Sequence, residues 1–350
     1  MKIKKTVAIL FGARSAEHDV SLNSAHALYT HIDKEKFSPL LIYISRDGLW
    51  RPMDEETFKK KDFSPKGGYS FLPWKSGFAG EIDADIYFPM LHGPNGEDGR
   101  LQALLEMAGK PYTGAGSFAS GVAMDKVVSK TLFKDAGLNV GDYLFFESND
   151  YSTIKNAVDE KLGYPVFVKP CAMGSSVGIT KVIAEEHLKP SLDLAFRYDR
   201  KVLVEKALDV HEIEVSVMGN EEIMVSRPGE LIPGNEFYDY KDKYLEGKTT
   251  FHMPAHLDAG TEEEVRRIAG TAYKALFLNG MSRVDLFIEK KTGKIYINEI
   301  NTIPGFTEIS MFPKLWTLDG ISFTELITRL IDYGFEYFEK TKNFATDLHA

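Results

Sequence analysis

Residues Ser282–Gly305 read SRVDLFIEKKTGKIYINEINTIPG. The stretch predicts two strands, Arg283–Glu289 and Ile295–Asn301, folded back at Lys291-Thr292-Gly293, where Gly293 can supply the positive φ of a short hairpin loop. With the turn centred on Thr292, Asp285 falls opposite Glu299 and Arg283 opposite Asn301. Alternation of side chains then puts all four on one face. Two carboxylates and a carboxamide converge there, an oxygen donor set suited to a hard cation such as Mg²⁺ that also holds phosphate oxygens. Without a cation, neighbouring carboxylates repel and one takes up a proton. The same face also reads as a solvated hairpin with an Arg–Asp pair, and a slip of one residue in register disperses the set.

Around this hairpin the chain has 350 residues, too many for one ordinary core, so two or three domains are expected. Hydrophobic content of 43% and charged content of 27% are those of a soluble globular protein. No apolar run reaches bilayer length, and the N-terminal MKIKKTVAILFG reads as a first strand, not a cleaved leader. The single cysteine, Cys171, excludes an internal disulfide and a cysteine zinc site and fits a reducing cytoplasm. A net charge of −9 argues against nucleic acid as the main partner, so an anionic ligand must be met by locally placed lysines and arginines.

The order of elements predicts α/β followed by α+β architecture. Strands at Thr6–Phe11, Phe37–Ile44 and Ile86–Leu91 alternate with helices at 21–31 and 100–107, the rhythm of an open parallel sheet whose ligands gather at strand carboxyl ends. Residues 50–80 read as a polar, Gly/Pro/Lys-rich insertion, a surface hairpin or loop. A helix is expected over Gly121–Ala136, with Lys126 and Lys130 one turn apart. Strands at Tyr143–Phe146, Tyr164–Lys169 and Val202–Lys206, with helices at 151–162 and 185–197, form a small unit of antiparallel character. Strands Ile213–Met218 and Ile223–Arg227, a helix over Glu262–Phe277, the hairpin and a closing amphipathic helix over Phe323–Phe338 complete the chain. The expected domains are 1–120, 121–208 and 209–350.

Three loops carry chemistry. Lys169 ends a strand and precedes Gly174-Ser175-Ser176-Val177-Gly178, which reads equally as a phosphate cover or as a flexible hairpin turn. Val204–Leu208 with Glu212 could be the edge where a base and ribose sit, although a strand end with surface charges is the simpler reading. Phe237–Tyr244, dense in aromatics and charge, is a lid candidate or a cover for the core. His211-Glu212 lacks the second histidine of a zinc helix. Gly114-Ala115-Gly116 lacks the spacing of a dinucleotide turn, which counts against a dehydrogenase.

Taken together, GARSAEHDVSLNS (12–24), HGPNGEDG (92–99), YTGAG (112–116), MDK (124–126), VKPCAMGSSVG (168–178), FYDYKDKY (237–244) and the hairpin resemble, in order and spacing, the D-alanine–D-alanine ligase family of the ATP-grasp superfamily. The resemblance spans nearly the whole chain and implies an ATP-grasp fold preceded by a Rossmann-like parallel-sheet domain. It implies that Lys126, Lys169 and Lys243, with Ser176, hold ATP phosphates, and that Glu205, Lys206, Leu208 and Glu212 frame adenine and ribose. Asp285, Glu299 and Asn301 would bind a pair of Mg²⁺ ions, with Mn²⁺ as a substitute. Glu17 would receive the ammonium of the first D-alanine, with His92 and Tyr238 close to the substrates. Arg283 and the Gly305 N–H would stabilise charge on the reacting carboxyl, and Ser310 would bind the carboxylate of the second D-alanine. Glu17, Ser175 and Tyr244 would pin the lid. The implied activity is ATP-dependent formation of D-alanyl-D-alanine through an acyl phosphate for peptidoglycan precursors, in a cytoplasmic homodimer. Met173 departs from relatives that carry glutamate there. Tyr244 after Lys243 points to the dipeptide, with D-alanine–D-lactate ligation as the alternative.

Overall fold

The computed structural model describes residues 3–63, 69–70, 82, 84–232 and 250–342. The first unit comprises β1 (Lys5–Gly12), α1 (His18–His31), β2 (Phe37–Ile44), β3 (Leu49–Met53), α2 (Glu55–Lys59), β4 (Tyr69–Ser70), β5 (Ile86–Met90) and α3 (Arg100–Met107). Its sheet runs β4-β3-β2-β1-β5, with β1 parallel to both β2 and β5. Residues 7–12 of β1 are all buried, the signature of a strand covered on both faces. The insertion expected as a surface hairpin or loop contributes β3, α2 and β4, with β3 and β4 antiparallel, and residues 71–81 lie outside the described residues.

The second unit follows with α4 (Ser117–Met124), α5 (Lys126–Asp135), β6 (Tyr143–Phe146), α6 (Tyr151–Lys161), β7 (Val166–Pro170), β8 (Thr180–Val182), α7 (Leu188–Ala195) and β9 (Val202–Lys206). The sheet order is β6-β9-β7-β8, antiparallel throughout. The single helix expected over 121–136 is two. Asp125 breaks it by leaving helical geometry and accepting the Val127 and Val128 N–H groups as an N-cap. Lys126 thereby starts α5.

The third unit holds β10 (Val210–Gly219), β11 (Ile223–Val225), β12 (Gly229–Ile232), β13 (Thr250–His252), α8 (Ala259–Ala275), β14 (Gly280–Glu289), β15 (Ile295–Asn301), α9 (Met311–Leu318) and α10 (Phe323–Thr341). Its sheet runs β13-β12-β10-β14-β15, with β11 on β10. The short strands β12 and β13 have too few residues to declare a period, and α9 has no counterpart among the expected helices.

The cores cross the expected domain limits. Ala119 and Ala123 of α4 pack with Val215, Val284 and Tyr273 of the third unit. At the other end of the chain, α10 presents Leu326, Ile327, Leu330 and Ile331, spaced for one helical face, to Ile9, Phe11 and Phe88 of the first sheet. Leu330→Ala should therefore lower unfolding free energy by about 2–5 kcal/mol in denaturant titration. A loss below about 1 kcal/mol would mean that α10 is not part of that core.

Candidate active site

A cavity of about 720 Å³ is lined by both the β6–β9 sheet and the β10–β15 sheet. Alternation along β14 and β15 buries Val284, Leu286, Ile297 and Ile300, while Arg283, Asp285, Glu299 and Asn301 line the cavity. The ladder pairs Arg283 with Asn301 and Asp285 with Glu299, as the sequence predicts. Leu286 pairs with Ile297, one residue out of that register, so Asn298 is the extra residue of a bulge.

Arg283 donates from Nε and Nη2 to the two oxygens of Asp285, each at 2.7 Å. Its Nε also stands 3.3 Å from Glu214 Oε2 on β10. Asn301 donates Nδ2 to Asp285 Oδ2 at 2.9 Å, which leaves Oδ1 as its oxygen donor. Lys126 Nζ lies 3.4 Å from Glu299 Oε2 and donates to the Met173 carbonyl at 2.8 Å. The donor types fit a hard divalent cation. Among the described residues no three His, Cys, Asp or Glu side chains form a metal site by themselves. Phosphate oxygens and water would have to complete the shell, which is the habit of Mg²⁺ on nucleotides.

Further along the cavity, Glu205 accepts Lys130 Nζ at Oε1 (2.6 Å) and Lys169 Nζ at Oε2 (2.7 Å). Burial favours its neutral form, but the two ammonium groups win and hold the carboxyl down at about 2. Glu205, expected against the base, thus gives both oxygens to lysines. The Lys206 ammonium goes to the Leu162 carbonyl, while the residue still contributes to the cavity wall. Phe167, Ile179, Leu208, Ile232 and Phe287 supply apolar walls suited to a flat base, with the Glu212 carboxylate among them.

At the end contributed by the first unit, Glu17 sits between two glycines. A Cβ on Gly93 (φ +74°) would lie 2.5 Å from Glu17 Oε2, and one on Gly174 would lie 3.0 Å from it. Ser175 donates to Glu17 Oε1. Ser175 and Ser176 both adopt left-handed backbone (φ 50° and 58°), a conformation that persists where the surroundings over-determine it and that clusters at functional sites.

His92, by contrast, is buried. Its Nε2 bonds Ser24 Oγ and its Nδ1 the Ile303 carbonyl, both at 2.8 Å, and it does not line the cavity. It fastens the segment after β15 to the first unit. Gly305 and Ser310 also lie outside the cavity wall. Ser310 immediately precedes α9, and its Oγ accepts the Thr307 N–H at 3.1 Å. Lys243, Tyr244 and Tyr238 fall outside the described residues.

Glu97, Lys130 and Glu214 carry no role in the sequence-based expectations. Glu97 accepts the Gly93 N–H at 2.7 Å and the Ile303 N–H at 3.0 Å. Burial pushes its carboxyl up to about 8, and Glu17 adds to the rise against those two donors. A carboxyl raised this way favours folding most while both states are protonated, below its ordinary value of 4.5, and that contribution is lost as pH climbs through about 8. Glu97→Gln should therefore flatten the fall in unfolding free energy between about pH 5 and 8, by up to about 1.4 kcal/mol per pH unit. Parallel curves for variant and parent in denaturant titrations would contradict this.

Comparison with known proteins gives the family of the chain. The family models "D-ala D-ala ligase N-terminus" and "D-ala D-ala ligase C-terminus" match residues 6–115 and 132–332. The D-alanine–D-alanine ligase of Thermoanaerobacter sp. (strain X514) is 45% identical, over 95% of this chain and 97% of its own. That of Acetivibrio thermocellus is 44% identical, over 94% and 95%. Among solved structures, the D-Ala:D-Ser ligase VanG from Enterococcus faecalis superposes with a TM-score of 0.84 at 36% identity, over 95% of this chain and 100% of that one. The D-alanine–D-alanine ligase from Coxiella burnetii also gives 0.84, at 31% identity, over 97% and 96%. With its ATP-grasp architecture and matches along nearly its whole length, the chain belongs to the D-alanine–D-alanine ligase family.

Proposed function

We propose that the protein uses Mg²⁺-ATP to join two D-alanines into D-alanyl-D-alanine for peptidoglycan precursors. The observation that carries this reading is the convergence of Arg283, Asp285, Glu299 and Asn301 with Lys126 and Lys169 on one cavity whose far walls are apolar. A carboxylate is a poor acyl donor because oxide is a hopeless leaving group. Attack of the first D-alanine carboxylate on the γ-phosphorus breaks the bond to ADP and makes an acyl phosphate. The amine of the second D-alanine then adds to the carbonyl, and phosphate leaves as the amide forms. Such phosphoryl transfer asks for positioning and charge neutralisation more than covalent help, in keeping with a cavity lined by lysines, arginine and carboxylates.

In this assignment Lys126, Lys169, Ser176 and Lys243 hold phosphates, while Leu208, Glu212 and the backbone at Lys206 receive adenosine. Asp285, Glu299 and Asn301 hold Mg²⁺, two ions in the family pattern with Mn²⁺ as substitute, whose contribution when bound is to neutralise phosphate oxygens. Glu17, in its glycine cradle, takes the first ammonium, and Ser310 at the N-terminus of α9 takes the second carboxylate, where helix-end N–H groups favour an anion. Arg283, and in the family pattern the Gly305 N–H, would stabilise the charge that develops on the carbonyl oxygen. For Tyr238 and Tyr244 the proposed role is to keep water from the acyl phosphate. His92 acts through the segment it fastens.

We place the enzyme in the cytoplasm, where ATP is supplied, as a homodimer. The exposed Phe118 and Phe277, with ring centroids 6.3 Å apart, offer an apolar contact for a second copy. The likeness to dipeptide-forming ligases does not favour the D-lactate alternative. The test is ADP release by the purified protein with Mg²⁺-ATP and D-alanine, L-alanine, D-serine or D-lactate, with products identified by mass. D-Alanyl-D-alanine as main product is expected, and absence of D-alanine-dependent ADP would refute the assignment.

A further inference from the structure

Lys130 is 1% exposed and does not line the cavity, so it cannot touch a ligand there. It nevertheless lies one turn along α5 from Lys126 and meets Glu205 Oε1 at 2.6 Å, while Lys169 meets Oε2 at 2.7 Å. Glu205 is 5% exposed and Lys169 9%. Lys169 with Glu205 alone would be a neutral pair, its charge cancelled before any phosphate arrived. The second ammonium changes the count within this trio: burial works against the charge on Lys130, Glu205 supports it and Lys169 opposes it, and with both lysines charged two cations share one carboxylate and one positive charge is left over. Only Lys169 and Glu205 of the three line the cavity, so the surplus is felt through Lys169. In surroundings this poor in solvent, one elementary charge weighs heavily on a polyanion. Tyr143, paired across the strands with Glu205, sets its ring centroid 6.0 Å from Lys130 Nζ and helps to close the compartment.

We propose that Lys130 is a positioning residue for nucleotide binding: it fixes the Glu205 carboxylate and offsets its charge, so that Lys169 stays a net cation for the phosphate chain. The inference rests on the ATP reading above and adds to it a residue with no ligand contact. It also explains why a buried carboxylate stands beside a phosphate-binding lysine without defeating it.

The discriminating readout is the ratio of affinities for ATP and adenosine, which share the base and ribose and differ in the phosphates. Calorimetric titration of the full-length protein would compare the parent with Lys130→Met, with Lys130→Gln, which keeps a donor toward Glu205 and guards against misfolding of the methionine variant, and with Lys130→Met/Glu205→Gln. The single variants should lose at least about tenfold in ATP affinity with adenosine affinity held within about threefold. The double variant, which restores the net charge by removing both buried partners, should recover the parental ratio. Equal losses for both ligands would reduce Lys130 to a packing role and overturn the inference, as would an unmoved ratio or a double variant that stays low. No ATP binding by the parent protein would overturn the ATP reading itself. ATP binding by the parent with an unmoved ratio in the variants would overturn this inference alone.

Discussion

Arg283→Ala is expected to lower D-alanine-dependent turnover by about a hundredfold or more. The guanidinium is fixed before any substrate arrives, with both Asp285 oxygens at 2.7 Å and Glu214 Oε2 at 3.3 Å. A donor held this way need not reorganise when charge appears on the carbonyl oxygen, which is where an oxyanion device gains its advantage. The loss should therefore fall on kcat, since the ground-state carboxylate needs the contact less than the tetrahedral intermediate does. Arg283→Lys should recover only part of the rate, because an ammonium cannot reproduce the two-pronged contact with Asp285. A defect confined to KM would contradict the role, as would near-normal turnover in Arg283→Ala. Because the alanine variant also leaves Glu214 and Asp285 facing each other, circular dichroism should accompany the kinetics.

The second large effect is expected at the carboxylates. Asp285→Asn keeps the shape and the Arg283 contact at one oxygen but deletes a negative charge from the donor set. The Mg²⁺ concentration for half-maximal activity should rise by about tenfold or more, with ATP affinity falling in parallel when measured at limiting Mg²⁺. Asp285 carries the Arg283 pair and the Asn301 bond as well, so its substitution should not add independently to Arg283→Ala in the double variant. An unchanged Mg²⁺ dependence would remove Asp285 from the metal site.

Much of the site was legible because it lies on regular strands. Period-two alternation in RVDLFIE and IYINEIN placed Arg283, Asp285, Glu299 and Asn301 on one face, and the pairing near the cavity matches the expectation. The path to that match was not legible. The hairpin closes through Lys290–Gly293, with the Gly293 N–H on the Glu289 carbonyl and Gly293 at φ +71°, and near the turn the strands pair one residue out of the expected register. The bulge at Asn298 restores the alignment before Glu299. A bulge leaves little trace in a hydrophobic period, because the residues flanking it still read as strand.

Contacts between distant segments were harder still. Lys130 was visible one turn from Lys126, but nothing local tells that it ends on Glu205, 75 positions along the chain. The apolar stripe of α10 was evident, whereas its partner, the first sheet, was not. The resemblance implied that His92 lies close to the substrates, and nothing local in the sequence shows where its ring goes. Its burial follows from Ser24 and Ile303, which reach it from α1 and from the segment beyond β15. Asp125 as an N-cap could have been found from the sequence, since an aspartate two residues before Val127 inside a helical run is a start signal.

The central claim is that the carboxyl of one D-alanine is activated as an acyl phosphate in this cavity. It is tested most directly with D-alanine carrying ¹⁸O in its carboxylate, unlabelled Mg²⁺-ATP and mass analysis of the released phosphate. The account predicts one ¹⁸O in each phosphate formed per dipeptide, because the oxygen that bridged carbon and phosphorus departs with phosphorus. Dipeptide formation with label in AMP, or with unlabelled phosphate, would contradict it.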